Sequence, residues 1–78
     1  MSDLILYSRP DCHLCDEAAE LLARVAPEQA VRVVDIEDDL TLIDRYGIRV
    51  PVLRLEETGE ELGWPFDAEG LTRFLGSV

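Results

Sequence analysis

Length, composition and charge restrict what this chain can be. Its 78 residues are enough for a single small domain, and a hydrophobic fraction of 47% is ordinary for a globular protein and too high for a disordered one. Seventeen acidic residues outnumber seven arginines, lysine is absent, and the formal net charge is −10. This charge excludes nucleic acid and anionic membrane as expected partners, because both are bound through basic residues that neutralise phosphates.

No stretch of the sequence approaches the roughly 20 apolar residues that a membrane-spanning helix needs. Residues 1–3 contain no basic residue and only a four-residue apolar run follows them, which is unlike a secretory signal. We therefore expect a cytoplasmic protein without membrane contact. A permanent structural disulfide is not expected in that reducing compartment, so the two cysteines need another interpretation.

The first predicted elements meet at these cysteines. Residues 4–7 form an apolar run that precedes a proline, a pattern typical of a short buried strand. After Cys12, apolar residues recur every three or four positions as far as Ala26, which predicts one face of a helix that Pro27 ends. Cys12 is therefore expected at or just before the first helical turn, and Cys15 one turn later on the buried side.

This placement predicts a dithiol–disulfide switch. The first amides of a helix are unpaired and carry the positive end of the helix dipole, so they should stabilise a thiolate at Cys12 and lower its pKa below the free value of about 8.5. Cys15 would be shielded, close enough to bridge Cys12, and able to attack a mixed disulfide formed there. A Cys-x-x-Cys motif that follows a strand and opens a helix is typical of redox-active dithiols.

Other interpretations of this stretch stay open. The cysteines could be reduced thiols that pack as small hydrophobic side chains. They could also bind zinc or an iron–sulfur cluster, but such sites need four ligands, and two thiols with His13 are too few unless two chains or glutathione share a cluster. His13 is either a candidate for lowering the pKa of Cys12 or an exposed residue of the first turn. Asp11 is the expected N-cap of the helix.

The middle of the chain predicts a second strand and a short helix. Residues 31–36 are rich in β-branched side chains and are expected to form the strand. The acidic residues 37–39 are candidates for capping a helix over Leu40–Tyr46. Gly47 is expected to end that helix as a left-handed C-cap.

A hairpin and a last helix follow. Pro51 is expected at or just before the first residue of a third strand, where its missing N–H is tolerated. Gly59 lies near the tip of a turn that leads into a short fourth strand at residues 61–62. Asp67 is expected to cap the last helix. The inward stripe of this helix should consist of Leu71, Phe74 and Leu75. Trp64 and Phe66 either close the core beneath it or form a substrate rim.

The predicted order is β-α-β-α-β-β-α in one domain over residues 1–78. We expect an α/β fold with a four-stranded mixed sheet flanked by helices. The first two units are expected to be right-handed parallel crossovers and the last two strands an antiparallel hairpin.

This order, the Cys-x-x-Cys motif at the first strand–helix junction and the Val50-Pro51 dipeptide before the third strand resemble a thioredoxin fold. Within that fold, the size and the stretch Tyr7-Ser8-Arg9-x-x-Cys12-x-x-Cys15 resemble glutaredoxins, above all small bacterial glutaredoxin-like proteins with a Cys-His-Leu-Cys motif. The resemblance covers nearly the whole chain. It implies a monomeric thiol–disulfide oxidoreductase of electron transport and cell redox homeostasis. Its partners would be protein disulfides or glutathione, with no required cofactor beyond glutathione as a candidate co-substrate.

The resemblance also implies roles for single residues. Cys12 matches the nucleophile and Cys15 the resolving cysteine. Pro51 matches a cis-proline that lies against the Cys-x-x-Cys motif and leaves the backbone of Val50 to pair with a bound peptide or glutathione. Arg9 matches the basic residue that reaches a glutathione carboxylate, although from the sequence alone it could be a solvated charge.

The chain departs from typical glutaredoxins in two places. His13-Leu14 stands where they have Pro-Tyr, so their redox potential cannot be transferred. Members that bind glutathione carry a Gly-Gly-x-Asp-Asp-like stretch before the last helix, and of this only Gly63 and Asp67 correspond. Asp67 is accordingly a candidate substrate-binding residue. The competing hypothesis is a non-enzymatic module, either an iron–sulfur or metal carrier shared by two chains or an inactive thioredoxin-fold adaptor.

Overall fold

A computed structural model describes residues 4–76, which form four strands and three α-helices. The strands are β1 (Leu4–Ser8), β2 (Val31–Asp35), β3 (Val52–Leu55) and β4 (Glu61–Gly63). The helices are α1 (His13–Val25), α2 (Leu40–Tyr46) and α3 (Ala68–Gly76), with a 3₁₀ turn at Ile36–Asp38 before α2. The predicted order of elements is confirmed. None of these helices has the length and apolar composition that crossing a membrane requires.

The sheet is mixed and has the strand order β2-β1-β3-β4. β1 and β2 are parallel, whereas β3 is antiparallel to both β1 and β4. The prediction of a second parallel crossover is therefore wrong. The seven residues of α2 rise only about 10 Å, less than the roughly 16 Å of a five-residue strand, so the chain enters β3 at the end of the sheet where β2 left it.

The two faces of the sheet have separate cores. Side chains alternate along a strand, so Leu4 and Leu6 lie on one face while Ile5 and Tyr7 lie on the other. The first face packs against α1 and α3 and buries Leu4, Leu6, Ala18, Leu22, Leu53, Leu55 and Leu71. The second face packs against α2 and buries Ile5, Tyr7, Ile36, Tyr46 and Val52. Each fully buried leucine contributes roughly 1.5–3 kcal/mol, so the α1–α3 face holds most of the hydrophobic stabilisation.

The β3–β4 hairpin and the start of α3 follow the predicted turn chemistry. Gly59 has φ of +79°, and its N–H donates to the Leu55 carbonyl at 2.7 Å. The Asp67 carboxylate accepts from the Gly70 N–H at 2.7 Å, as an N-cap side chain does. The apolar stripe of α3 is also confirmed, since Leu71 is buried and Phe74 and Leu75 pack against the same core.

The end of α2 differs from the predicted left-handed cap. Gly47 has φ of −48° and ψ of −40°, which is right-handed helical backbone. The chain then turns tightly, and the N–H groups of Arg49 and Val50 both donate to the Tyr46 carbonyl, at 2.8 and 3.1 Å. The glycine is explained instead by the close approach of the Ile43 carbonyl oxygen, which would lie 2.5 Å from a Cβ atom at position 47.

We expect Gly47→Ala to destabilise the protein and Gly63→Ala to leave it nearly unchanged. A methyl group at position 47 must displace the Ile43 carbonyl, and such overpacking costs roughly 1–3 kcal/mol. Within the described residues, nothing lies within 4 Å of a Cβ at Gly63, which makes it the matched control. A loss of 1 kcal/mol lowers Tm by about 4–8 °C in a domain of this size, so thermal unfolding separates the variants. Equal Tm values would contradict the close-approach explanation.

Candidate functional site

The candidate site lies at one end of the sheet, where the connections between strands meet. Ser8 at the end of β1 pairs with Asp35 at the end of β2. Tyr7 pairs with Val52 at the start of β3, and Val52 pairs with Gly63 at the end of β4. The loop before α1, the loop before β3 and the segment before α3 therefore lie at the same end. These connections contain the predicted site residues Arg9, Cys12, Val50, Pro51 and Asp67, and α1 begins there with His13.

Cys12 is the N-cap residue of α1. Its backbone is extended, with φ of −100° and ψ of 103°, and the helix begins at the next residue. Its Sγ accepts a hydrogen bond from the Cys15 N–H at 3.2 Å. In an ordinary N-cap, a serine, threonine or aspartate oxygen accepts this bond. The reactive sulfur of the predicted switch is thus also the group that caps the helix.

The prediction that Asp11 is the N-cap is wrong. Asp11 has φ of +57°, in the left-handed region that aspartate enters more readily than most residues. The left-handed backbone of Asp11 is followed by the extended backbone of Cys12, which precedes the first helical residue. Cys12 therefore occupies the N-cap position, and its sulfur rather than the Asp11 carboxylate accepts the capping hydrogen bond.

Cys12 and Cys15 are joined by a disulfide. Their Cα atoms are 5.2 Å apart, inside the usual range of about 4.4–6.8 Å. Cys12 is partly exposed, whereas Cys15 is only 5% exposed, as the helical pattern predicted. Of the two sulfurs, Cys12 is the one that a substrate can reach. In the described part of the chain, this site included, no group of three or more His, Cys, Asp or Glu side chains is arranged to hold a metal ion.

His13 is the first residue of α1 and its side chain is 87% exposed. Its Nε2 atom lies 3.8 Å from Oε2 of Glu17, one turn further along the helix. This arrangement agrees with the interpretation of His13 as an exposed first-turn residue. A role for it in lowering the pKa of Cys12 stays a prediction.

Arg9 is already engaged by groups of the chain itself. Its Nη1 donates to the Gly47 carbonyl and its Nη2 to Oε2 of Glu37, each at 3.2 Å. Both side chains of the Arg9–Glu37 pair are nearly half exposed, and exposed pairs of this kind contribute only about 0.2–1 kcal/mol. An incoming carboxylate would therefore compete with Glu37 for the guanidinium, at modest cost.

The Val50–Pro51 peptide bond is cis, as predicted, and Pro51 is buried. The Val50 N–H donates to the Tyr46 carbonyl at 3.1 Å, so this donor is not left for a bound peptide. The Pro51 carbonyl accepts from the Trp64 N–H at 3.1 Å and so connects this loop to the end of β4. The Trp64–Pro65 bond is also cis, which no feature singled out in the sequence had indicated.

Trp64 and Phe66 are partly buried beneath α3, and Phe66 also lines an open pocket with Pro65 and Asp67. Their rings are 5.0 Å apart in an edge-to-face arrangement, and both side chains pack against the core beneath α3. Asp67 follows them, and its carboxylate is used as the cap of α3. The segment before α3 therefore offers a substrate fewer free groups than the resemblance implied.

A polar cluster that the sequence did not reveal lies beneath α2. The ring of Tyr46 stacks on Tyr7, with centroids 4.3 Å apart, and its hydroxyl donates to the Glu61 carboxylate. Nη1 of Arg54 donates to the same carboxylate oxygen at 3.2 Å, and Nη2 of Arg49 lies 3.8 Å from the other. We call Tyr46, Arg54 and Glu61 the tyrosine–glutamate cluster. Its members come from α2, β3 and β4, so no local motif indicates it.

The contacts within the tyrosine–glutamate cluster shift the pKa values of its members. Burial raises the pKa of Tyr46, and the hydrogen bond to Glu61 raises it further. Burial would also raise the pKa of Glu61, but the hydrogen bonds from Tyr46 and Arg54 outweigh it and hold the pKa below its usual value. The pKa of Arg54 is raised by its contacts with Tyr46 and Glu61. The cluster thus keeps an ionised carboxylate against a neutral tyrosine.

Comparisons with known proteins agree with this geometry. A family model described as Glutaredoxin-like domain (DUF836) matches residues 3–76. The X-ray structure of Northeast Structural Genomics target protein XcR50 from X. campestris is 51% identical, with a TM-score of 0.87 over 96% of this chain and 97% of that one. The solution structure of the same target is 50% identical, with a TM-score of 0.86 over 100% and 96%.

A more distant solved structure shows the same arrangement of elements. The solution NMR structure of protein Ne2328 from Nitrosomonas europaea is 28% identical, with a TM-score of 0.80 over 94% of this chain and 89% of that one. No curated protein matched the sequence. With the four-stranded mixed sheet and its flanking helices, these matches confirm the predicted thioredoxin fold.

We expect Glu61→Gln to remove part of the acid sensitivity of the fold. A carboxyl group whose pKa is lowered by folding adds stability above its unfolded pKa, and this stability is lost as pH falls through the folded pKa. At neutral pH the variant should be less stable by about 1.5–3 kcal/mol, the usual contribution of a hydrogen bond to a charged group. The difference in unfolding free energy should shrink as pH falls from about 6 to about 3.

The control is Glu56→Gln, which removes the same charge from the exposed ion pair with Arg32. Because that pair is exposed, its loss should change stability by less than about 1 kcal/mol. Denaturant unfolding at a series of pH values measures both variants. A Glu61→Gln effect that stays constant across the series would contradict the lowered pKa.

Proposed function

The chain belongs to the Glutaredoxin-like domain family (DUF836), and on this premise we propose that it is a thiol–disulfide oxidoreductase. Cys12 and Cys15 would exchange electrons with protein or glutathione disulfides. The observation that carries the proposal is the position of Cys12 as N-cap, with the Cys15 N–H directed at its sulfur at 3.2 Å. A sulfur in this place is exposed enough to react and is stabilised as a thiolate by the amide and the helix dipole.

The proposed reaction consists of two exchanges. The Cys12 thiolate attacks one sulfur of the substrate disulfide, whose S–S bond breaks, and the departing thiolate takes a proton from solvent. The deprotonated Cys15 then attacks Sγ of Cys12 in the mixed disulfide and expels the second substrate thiol. Two electrons have then passed from the protein to the substrate, and the Cys12–Cys15 disulfide is the oxidised product. A dithiol or glutathione would return the protein to its reduced form.

The environments of the two sulfurs support this division of roles. Cys12 is partly exposed at the end of the sheet, whereas Cys15 lies behind it on the buried face of α1. Asp11 and Asp16 oppose the thiolate, because nearby carboxylates disfavour a second negative charge. The hydrogen bond from the Cys15 N–H to Sγ of Cys12 is the contact that offsets this effect.

We further propose that the protein works as a cytoplasmic monomer without a bound cofactor. A dithiol can be recycled by small thiols only in a reducing compartment. A net charge of −10 makes two copies repel each other, which favours the monomer. Visible absorbance of an iron–sulfur cluster in the purified protein would instead favour the metal-carrier hypothesis.

We expect the two cysteines to differ in reactivity once reduced. In Cys15→Ser, the remaining Cys12 should react with iodoacetamide at least about tenfold faster at neutral pH than Cys15 does in Cys12→Ser, and its half-maximal rate should fall below about pH 8.5. In the wild type, mild oxidation should remove two hydrogens, as mass spectrometry measures, and a dithiol should restore them. Cys12→Ser should abolish disulfide turnover, while Cys15→Ser should accumulate mixed disulfides. Equal alkylation rates would refute the assigned roles.

We expect oxidised glutathione to bind more weakly than to typical glutaredoxins. Glutathione is an anion, the chain is strongly acidic, Glu37 already occupies Arg9, and the Asp67 carboxylate serves as a helix cap. Loss of one charge-assisted contact of about 1.5–3 kcal/mol weakens binding by roughly ten- to a hundredfold. NMR titration of the Cys12→Ser protein measures this. Micromolar affinity would contradict the prediction, and millimolar affinity would point to protein disulfides as substrates.

A pair of charge-matched variants tests whether Arg9 is the glutathione contact. Glu37→Gln frees the guanidinium of Arg9 and should strengthen binding by about two- to fivefold, the equivalent of an exposed ion pair. Glu56→Gln removes the same charge beside Arg32 and should change the affinity less. An equal effect of both variants would assign the change to net charge rather than to Arg9.

A further inference from the structure

The outer edge of β2 is unpaired within the described part of the chain. β2 is the first strand in the sheet order, and among residues 4–76 β1 is the only strand that pairs with it. The Leu4 N–H donates to the Ala30 carbonyl at 3.2 Å, and Leu4 lies opposite Val31. In a parallel ladder of this register, residue 32 turns its N–H and C=O toward β1, whereas Val31 and Val33 turn theirs outward. These two residues present free pairing groups along the edge.

An apolar groove runs beside this edge. It has a volume of about 340 Å³ and lies between α1 and β2. On the helix side its lining includes Ala19, Ala23 and Ala26, and on the strand side Val31 and Val33. The alanine side chains are too short to cover the strand, so Val33 stays 61% exposed. Natural edge strands are usually blunted by charged side chains or covered by another element, and on this face β2 has neither at Val31 and Val33.

Within the residues that the structure describes, no charged residue lines the groove itself, and the charged residues beyond its end near the start of α1 are acidic. Asp16 lies one turn before Ala19 on the same face of α1, and Glu20 lies one turn before Ala23. Asp35 follows Val33 on the same face of β2, and one of its carboxylate oxygens accepts from the Glu37 N–H at 2.8 Å. Asp16 and Asp35 lie toward the end of the sheet where α1 begins and β2 ends, and Glu20 lies near the middle of α1. The groove therefore has an apolar floor and an acidic end.

We propose that the edge of β2 binds an extended segment of a partner protein as a fifth strand. The segment has apolar residues at alternate positions, which fill the groove, and a basic residue at each end, so that one of them meets the acidic end in either strand direction. Its backbone pairs with the N–H and C=O groups of Val31 and Val33, as in other strand additions to an open sheet edge. A second copy of the chain fits less well, because it brings the same acidic groups and a net charge of −10.

The test uses the whole chain and a synthetic peptide, acetyl-Lys-Thr-Val-Thr-Val-Thr-Lys-amide, in which the lysines and the valines lie on the same face of the strand. The peptide has no cysteine, so its binding is independent of the proposed redox function. In an NMR titration, the amides of Val31 and Val33 should shift and exchange more slowly with solvent, and the alanines of the groove should shift. The same peptide with glutamate in place of lysine should bind at least about tenfold more weakly, and added salt should reduce this difference.

Three exposed positions supply the variants. Val33→Lys places a charge in the groove, and Ala23→Arg fills it from the helix side without changing the strand. Each should weaken binding by about tenfold or more, because an unpaired charge is costly in an apolar contact. Ile48→Lys introduces the same charge at a fully exposed residue outside the groove and should leave the affinity nearly unchanged.

Several outcomes would overturn the proposal. These are no binding of the lysine peptide, equal binding of the two peptides, shifts confined to residues away from β2, or equal effects of Val33→Lys and Ile48→Lys. Analytical ultracentrifugation of the chain alone tests whether a second copy of the chain covers the edge of β2. A dimer that Val33→Lys dissociates would show that a second copy, not a partner segment, covers the edge.

Discussion

The hydrogen bond from the Cys15 N–H to the Cys12 sulfur joins the stability of α1 to the chemistry of the site. A helix N-terminus needs an acceptor for its unpaired amides, and here that acceptor is a sulfur atom. Sulfur in a disulfide is a weak acceptor, whereas a thiolate is a strong one. Whatever stabilises the thiolate in the folded protein also stabilises the fold when the thiolate forms, by thermodynamic linkage. The start of α1 therefore gains its best cap when Cys12 is reduced and ionised, which is the state that the proposed exchange requires.

The direction of β3 brings the rest of the site to this helix end. Because α2 is too short to return the chain along the sheet, β3 starts where β1 and β2 end, and the cis-proline loop lies at the same end as the disulfide. Arg9 fastens the loop before α1 to Gly47 at the end of α2, and Trp64 hydrogen-bonds to Pro51. Beneath them, the tyrosine–glutamate cluster connects α2 to β3 and β4. Contacts between the loops that connect the strands and helices hold the site together, and no single helix or strand does so.

The sequence predicted what depends on neighbouring residues and missed what depends on distant ones. The limits of α2, the cap at Asp67 and the hairpin turn at Gly59 follow from local patterns, and each is confirmed. Asp11 has a side chain typical of an N-cap residue, but its backbone is left-handed and Cys12 occupies the N-cap position instead. The direction of β3 depends on where α2 packs, and the bond between Tyr46 and Glu61 depends on that direction. Neither has a signature in the sequence, because both arise only when the sheet is assembled.

The distribution of charge makes the two sides of the sheet electrostatically different. On the α2 side, the guanidinium groups of Arg9, Arg32 and Arg54 each lie within 3.4 Å of a carboxylate oxygen. These arginines and their partners largely neutralise one another. On the other side, Asp16 and Glu20 have exposed positions on α1, whose only arginine is in its last turn. Salt screens exposed charges beyond about 8 Å at physiological ionic strength, so these differences act only when surfaces are close. A partner that approaches along α1 therefore meets carboxylates with one arginine on the helix, whereas one that approaches along α2 meets several arginine–carboxylate pairs together with the exposed Asp38 and Asp44.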